Sequence, residues 1–312
     1  MTPLGILLLL GTLIPGAVLV AARPALRQTT LLTAWNWMLA AWLLWVASAV
    51  VLARPTTSPE ARAQWLYATA VISLCPGIAV LGAKRPGSGV WTLFILVPLV
   101  FVLGWPALTV WRWDGPRLLA VETPVLVGFG LVLVMGTGNY LGTRFGLGAA
   151  LYAAAVVLLV LPVAAHGPPW FRSTWGSVPG TVLAAIPLFF GASLSARRCA
   201  SGAAAADPLD RLWGEFRDRF GIVWSRRLQE RLQQEARREG WPAQVGPFGL
   251  EWAEGITSDQ RSRTRERFEH HLRWLLRRFV EEPRIEAWLS GRADEEGAPR
   301  AESPQIPQSR PS

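Results

Sequence analysis

Residues 147–165 read LGAALYAAAVVLLVLPVAA, an apolar stretch without a charged side chain. An α-helix rises about 1.5 Å per residue, so about 20 apolar residues are needed to cross the hydrocarbon core of a bilayer. The stretch has that length. A helix that is apolar on every side belongs either in a large protein core or in a membrane. The stretch therefore predicts a membrane-spanning helix.

Six further stretches of this kind lie within the first 200 residues. None has an Asp, Glu, Lys, Arg or His in its interior, and turn-forming Pro and Gly with charged side chains separate them. The seven predicted spans cover residues 3–21, 31–53, 64–82, 90–110, 123–142, 147–165 and 178–195. We therefore predict an all-α fold, with a polytopic membrane bundle of about seven helices over residues 1–200.

Charge is unevenly divided between the two parts of the chain. The first 200 residues hold 12 Lys and Arg but three acidic residues, whereas the remainder holds 19 Arg and 19 Asp and Glu. The net charge of +9 thus belongs to the apolar part. A nucleic-acid-binding protein would concentrate its positive charge in a soluble domain. The charge distribution therefore argues against nucleic acid as a partner.

The loops that follow the first, third and fifth spans, called loops one, three and five, carry cations and no acid. They hold Arg23, Arg27, Lys84, Arg85 and Arg144. Positive charge in short loops marks the cytoplasmic side of a membrane. We predict a bacterial plasma-membrane protein with its N-terminus outside and its C-terminus in the cytoplasm. The first span lacks a preceding positive charge, so it is predicted to be an uncleaved helix rather than a signal peptide.

The C-terminal part has the pattern of two soluble helices. Asp207 and Pro208 suit the N-cap and first position of a helix that Gly240 ends. A second helix begins near Ser258 or Asp259, with an apolar stripe at Phe268, Leu272, Leu275 and Phe279. We predict a cytoplasmic helical hairpin over residues 207–290 and a disordered tail over residues 291–312. Such a small domain is expected to lean on the bundle, a partner or another copy of the chain.

The face of the second helix opposite its apolar stripe is the predicted interaction surface. It carries Arg263, Arg267, His270, Trp274, Arg277 and Arg278. Arginines beside a tryptophan suit the anionic headgroups of the inner leaflet or the acidic groove of a protein partner. His270 and His271 are adjacent, so they point about 100° apart on a helix and cannot grip one metal ion together.

Three glycines at four-residue spacing, Gly138, Gly142 and Gly146, are predicted to form a contact ridge at the end of the fifth span. The neighbouring Gly136-Thr137-Gly138 lacks the preceding strand that a dinucleotide-binding loop requires. The glycines are therefore interpreted as helix-packing residues.

Trp111-Arg112-Trp113-Asp114, on a predicted outer loop, resembles the tryptophan-rich element of haem-handling cytochrome c assembly proteins. The resemblance covers four residues and implies haem handling, with His166 as the candidate axial ligand. The alternative is a purely structural role in an interfacial tryptophan belt, to which Trp35, Trp65, Trp91, Trp105, Trp170 and Trp175 would also belong. The belt accounts for all of these tryptophans, so no cofactor, metal or catalytic residue is predicted.

These patterns favour a non-enzymatic, membrane-anchored interaction or sensing module, able to form homo-oligomers. In architecture, seven helices with an outer N-terminus resemble the seven-helix input modules of bacterial signalling proteins. The alternative is a small-molecule transporter or channel, although no span carries the ionisable residue that proton- or ion-coupled transport normally uses. A haem- or cofactor-handling protein is the third hypothesis.

Overall fold

The computed structural model describes residues 3–85, 87–109, 119–166, 185–194, 207–247 and 249–291. Its apolar helices are α1 (Pro3–Leu26), α2 (Leu32–Ala53), α3 (Pro59–Leu81), α4 (Ser88–Trp91), α5 (Val97–Thr109), α6 (Thr123–Gly138), α7 (Gly146–Val160) and α8 (Ala185–Leu194). A π-helical segment, Thr92–Leu96, joins α4 to α5, and a 3-10 turn, Leu161–Val163, extends α7. We call α1–α8 the bundle.

Five helical stretches within the described ranges are long and apolar enough to cross a membrane. They are Leu9–Leu26, Leu32–Ala53, Pro59–Leu81, Gly89–Leu108 and Gly146–Val163. Two further apolar helices, α6 and α8, are shorter, and the predicted span 178–195 lies partly outside the described residues. The all-α class is therefore confirmed, and the apolar helices fit an integral membrane protein.

The central helix of the bundle is α3, which contacts α2, α5, α6 and α7. Its hydroxyl and carbonyl groups bond to neighbouring helices. Thr69 Oγ1 lies 2.9 Å from Ser48 Oγ of α2, and the Tyr67 hydroxyl donates to the Leu103 carbonyl of α5 at 2.7 Å. These bonds satisfy polar groups that the surrounding apolar side chains cannot.

The predicted glycine ridge is wrong, because its three members do not share a helix. Gly138 is the last residue of α6, Gly142 lies in a turn, and Gly146 is the first residue of α7. The close helix contact is made instead by Gly77 of α3 and Gly136 of α6. A Cβ atom built on Gly77 would lie 2.8 Å from the Gly136 Cα atom. Only glycine permits backbones to approach this closely.

Residues 207–291, the C-terminal segment, contain α9 (Pro208–Arg238), β1 (Ala243–Val245), β2 (Leu250–Trp252), α10 (Ser258–Leu276) and α11 (Glu282–Ser290). The strands pair antiparallel as a short hairpin between α9 and α10. Asp207 caps α9, as predicted, by accepting a hydrogen bond from the Leu209 N–H at 2.8 Å. At the other long helix, Thr257 and Gln260 form a capping box that begins α10.

The prediction of one uninterrupted helix up to Gly240 is wrong at a single residue, Gly221. Its φ of 81° and ψ of 178° are not helical, so α9 consists of two helices joined by a sharp break. This conformation is essentially restricted to glycine. The apolar stripe therefore does not lie along one straight axis.

The core of the C-terminal segment is aromatic and continues into the bundle. Phe279, which follows α10, packs against Phe216, Phe220 and Trp224 of α9 at centroid distances of 5.3, 5.3 and 4.9 Å. The same cluster of buried residues includes Val80 of α3, with Leu31 and Ala83 of the loops that adjoin α2 and α3. The expectation that this small segment leans on the bundle is confirmed by this shared core.

Candidate interaction face and its junction with the bundle

The six side chains of the predicted interaction face are all exposed on α10 and the turn that follows it. They are Arg263, Arg267, His270, Trp274, Arg277 and Arg278. The opposite face buries Thr264, Phe268, Leu272 and Leu276. The helical period of the sequence therefore places these two sets of residues on different sides of α10.

The arginines of α10 divide into paired and unpaired groups. Arg265 is held by Asp207, and Arg273 is held by Glu269, Glu282 and Glu286. On the predicted face, Arg277 pairs with Glu282 at 2.7 Å. Within the described ranges, Arg263 and Arg267 contact no carboxylate. These two side chains are consequently free to meet an acidic partner.

Arg278 and Trp274 form a pair of their own, one turn apart. The Arg278 guanidinium carbon lies 5.1 Å from the centroid of the Trp274 ring, a cation–π contact. Trp274 is 53% exposed, whereas Trp213 and Trp288 of the same segment are 1% and 0% exposed. The exposed tryptophan presents an apolar surface beside a positive charge.

The turn that follows α10 lies between loops one and three and is bonded to both of them by its main chain. The Thr30 N–H donates to the Phe279 carbonyl at 2.9 Å, and the Glu281 N–H donates to the Gln28 carbonyl at 2.8 Å. From the other side, the Arg85 N–H donates to the Arg278 carbonyl at 2.9 Å. The residues that follow α10 therefore lie beside the ends of α1, α2 and α3.

Loop five, which in the structure begins at Asn139 because α6 ends at Gly138, meets α9 at the break in that helix. The Asn139 side chain donates to the Phe220 carbonyl at 3.1 Å and accepts from the Val223 N–H at 3.0 Å, while its main-chain carbonyl accepts from the Ile222 N–H at 2.8 Å. These three bonds occupy groups that the interrupted helix would otherwise leave unpaired. Asn139 thus replaces the missing helical hydrogen bonds around Gly221.

A buried ion cluster lies beside this contact. Arg144 of loop five pairs with Glu215 at 2.9 Å and lies 3.3 Å from Asp218, and all three side chains are at most 15% exposed. Arg217 and Arg219 supply a second cation to each acid. Burial raises the pKa of Glu215, but the Arg219 and Arg144 guanidiniums outweigh burial and leave it below its usual range. Glu215 is therefore a carboxylate at neutral pH.

Tryptophan N–H groups cap the end of α3. Trp224 donates to the Val80 carbonyl at 2.9 Å, and Trp91 donates to the Ile78 carbonyl at 3.1 Å. The last carbonyls of a helix have no partner within the helix, so these indoles satisfy them. Trp91, predicted as a belt residue, therefore also binds helix to helix. Trp35 of α2 likewise joins two helices, because its N–H donates to the Leu19 carbonyl of α1 at 2.8 Å.

The described contacts of the loops lie in two places. Loops one, three and five all touch the C-terminal segment through Gln28, Arg85 and Asn139. Among the described residues just before α6 and just after α7, Val121 forms a parallel bridge with Ala164.

The other candidate sites form no cluster in the part of the chain that is described. Trp111 to Asp114, Trp170 and Trp175 lie outside the described residues, and His166 is exposed. The described residues contain no group of His, Cys, Asp and Glu side chains able to hold a metal ion.

Sequence reasoning missed the residues of the junction, by which we mean the contacts of loops one, three and five with the C-terminal segment. An isolated glycine within a helical pattern, as at Gly221, is the signal that could have indicated the break. No residue near Asn139 in the sequence indicates that it bonds to Phe220, which lies 81 residues away.

Comparisons with protein-family models, curated proteins and solved structures found no match to this chain.

Proposed function

We propose that the chain is a seven-span protein of a bacterial plasma membrane that acts as a membrane-anchored interaction or sensing module. In this proposal the N-terminus is outside. The C-terminal segment is a cytoplasmic domain, residues 291–312 are a disordered tail, and the exposed face of α10 binds an acidic partner. The proposed role is non-enzymatic.

The observation that carries the proposal is the attachment of the C-terminal segment to loops one, three and five at once. Because α1, α2, α3, α6 and α7 end in these loops, a shift of any of those helix ends would be transmitted to the segment. A bistable arrangement of packed elements is what sensing requires. The attachment supports a role in which the bundle sets the position or state of the α10 face.

Transport fits the described bundle less well. Its buried hydroxyls are already used in packing, since Ser73 Oγ bonds to the Thr69 carbonyl at 2.7 Å and the Tyr152 hydroxyl bonds to the Ser73 carbonyl at 2.8 Å. A substrate path would need polar groups that are free to bind cargo. The interaction role needs only exposed charged groups, and α10 carries exposed cations.

A photo-crosslinking experiment in cells tests the α10 face as a partner-binding surface. A benzophenone amino acid replaces the exposed Glu266, which borders the face and carries none of its charge. We expect a discrete adduct that weakens at least tenfold when Arg263→Gln and Arg267→Gln are added, because an acidic partner loses both of its countercharges. The measurement is the intensity of the adduct band after affinity purification.

The matched control carries the same crosslinker at Gln234, an exposed residue of α9. It should give no adduct of that size. An adduct that is equally strong from both positions, or indifferent to the two arginines, contradicts the proposal. Substrate flux in proteoliposomes that survives loss of the C-terminal segment would favour the transporter alternative.

A further inference from the structure

We infer that Arg27, Lys84 and Arg278, with Trp274, form a composite binding site for the headgroup of an anionic phospholipid at the junction of the bundle and the C-terminal segment. The inference rests on the proposed membrane insertion of the bundle. The site shares Trp274 and Arg278 with the exposed face of α10, and its other two members come from loops one and three.

The placement of the three cations follows from the main chain. Arg278 is bonded through its carbonyl to the N–H of Arg85, which follows Lys84 directly. Three residues beyond Arg278, the Glu281 N–H is bonded to the carbonyl of Gln28, which follows Arg27 directly. All three cations thus flank one short length of chain that is bonded to loop one on one side and to loop three on the other.

Among the described residues, no carboxylate neutralises the three cations of the site. Arg85 and Arg277 lie next to the site, but each has a carboxylate partner, Glu281 at 3.0 Å and Glu282 at 2.7 Å. In contrast, Arg27, Lys84 and Arg278 are exposed, and within the described ranges none of them contacts a carboxylate. Three exposed cations on neighbouring lengths of main chain can bind an anionic group from outside the chain, and a phosphate group has the appropriate charge.

The depth of the site matches the headgroup layer. Arg27 follows the last residue of α1 directly, and Lys84 lies three residues beyond the last residue of α3. The headgroup layer extends roughly 5–8 Å beyond the hydrocarbon core on each side, a distance that two or three residues and a long side chain can cover. Cations at the ends of spanning helices therefore reach lipid phosphates.

The exposed apolar side chains of the C-terminal segment lie close to the same loops. Within its described residues, the large apolar side chains classed as exposed are Ile222 at 40% and Trp274 at 53%. Ile222 lies against Gly142 of loop five, and Trp274 lies against Arg278 beside loop three. Tryptophan is enriched where a bilayer meets water, because its ring is apolar and its N–H is polar. Both residues thus expose apolar surface close to the loops that carry the cations.

The test is a lipid titration of the full chain purified in a neutral detergent. The probe is dioleoyl phosphatidylglycerol, with dioleoyl phosphatidylcholine as the uncharged reference, and the measurement is the rise in thermal unfolding temperature with lipid concentration. We expect phosphatidylglycerol to act at much lower concentration than phosphatidylcholine. The triple change Arg27→Gln, Lys84→Gln and Arg278→Gln should weaken the phosphatidylglycerol effect roughly a hundredfold at low ionic strength.

Two controls separate the site from general charge and from a soluble-anion site. A second triple variant, Arg231→Gln, Arg237→Gln and Arg238→Gln, removes the same charge from exposed positions in the last two turns of α9 and should keep the wild-type affinity. Glycerol 3-phosphate, the soluble headgroup fragment, should give no shift in the range where the lipid acts. Equal weakening by both variants, or an equal shift from the soluble anion, overturns the inference.

A second measurement guards against a variant that fails to fold. The single change Trp274→Phe leaves the charges in place and should remove a defined part of the fluorescence quenching caused by phosphatidylglycerol with brominated acyl chains. Quenching that is the same with and without Trp274 also overturns the inference. Failure of these tests would leave the crosslinking result at Glu266 unaffected, so the inference and the proposed function can fail separately.

Discussion

The interior of the bundle and the junction are held together by different chemistry. In the bundle, helices meet through the close pair Gly77 and Gly136, and through hydroxyl and indole groups that donate to carbonyls, as Trp42 does to Thr12 at 3.0 Å. At the junction, Asn139 and the ion cluster of Arg144 bridge to α9. Helices in an apolar environment are stabilised by close packing and by hydrogen bonds to main-chain groups. The junction lies outside the apolar helices, so ion pairs can also contribute there.

The glycines illustrate the same contrast. Gly136 is needed for space, because another backbone lies against it, while Gly221 is needed for conformation as well as space. Each has a counterpart on its own helix, Gly130 and Gly214, with nothing within 4 Å of the position of an added Cβ atom. The two pairs therefore allow the two regions to be perturbed with matched controls.

The largest effect is expected from Gly221→Ala at the junction. The φ and ψ angles of Gly221 would destabilise a residue with a side chain by about 1–3 kcal/mol. The new Cβ atom would also displace Asn139, whose side-chain atoms lie 2.1 to 2.5 Å from it. We expect a loss of at least about 3 kcal/mol, measured as a fall of roughly 10 °C in the unfolding temperature and faster tryptic cleavage of the C-terminal segment.

The control for this change is Gly214→Ala, which should stabilise α9 by up to about 1 kcal/mol because alanine is the better helix former. If the two alanine variants unfold at the same temperature, Asn139 does not hold the break of α9.

A smaller effect, about 1–3 kcal/mol, is expected from Gly136→Val in the bundle. The valine would push α6 away from α3, since a Cβ atom on Gly136 already lies 3.2 Å from the Gly77 Cα atom. Gly130→Val on the same helix meets no neighbour and should leave the unfolding temperature nearly unchanged. Thermal unfolding of both variants in detergent, followed by circular dichroism, measures the difference, and equal stability would show that α3 and α6 do not cross at these glycines.

The smallest of the three effects, about 1 kcal/mol, is expected from Arg144→Gln. The change leaves the buried Glu215 and Asp218 with one cation fewer, although Arg219 and Arg217 remain. Arg226→Gln is the matched control, because Arg226 and Glu230 are 67% and 58% exposed and such pairs contribute at most about 0.5 kcal/mol. Urea unfolding of the purified variants would reveal this ranking, and an equal effect of both changes would mean that burial adds nothing to the ion cluster.

Local rules were enough to predict several elements. Asp207 begins α9 because its carboxylate accepts the Leu209 N–H, a contact between residues two apart. The apolar length of α2 and α3 likewise followed from composition. The same rules failed at Gly138, Gly142 and Gly146, because four-residue spacing makes a ridge only while the helix continues, and α6 ends at Gly138.

For the candidate site, the helical period correctly separated the exposed face of α10 from its buried stripe. It could not tell which arginines are neutralised. Arg273 meets Glu282 and Glu286 from the next helix, whereas Arg267, on the same helix, meets no carboxylate among the described residues. Pairing depends on what packs alongside, and the spacing of residues within α10 contains no such information.

The sequence by itself determined where the apolar helices lie, which ends of them carry positive charge and which side of α10 is polar, because each of these depends on residues within a few turns of one another. Only the tertiary structure decided that α9 breaks at Gly221, that Asn139 fills the break, and that the main chain of Arg278 to Glu281 bonds to Gln28 and Arg85. Those features join residues tens to hundreds of positions apart, and hydrogen bonds and charges act over a few ångströms of space whatever the separation along the chain.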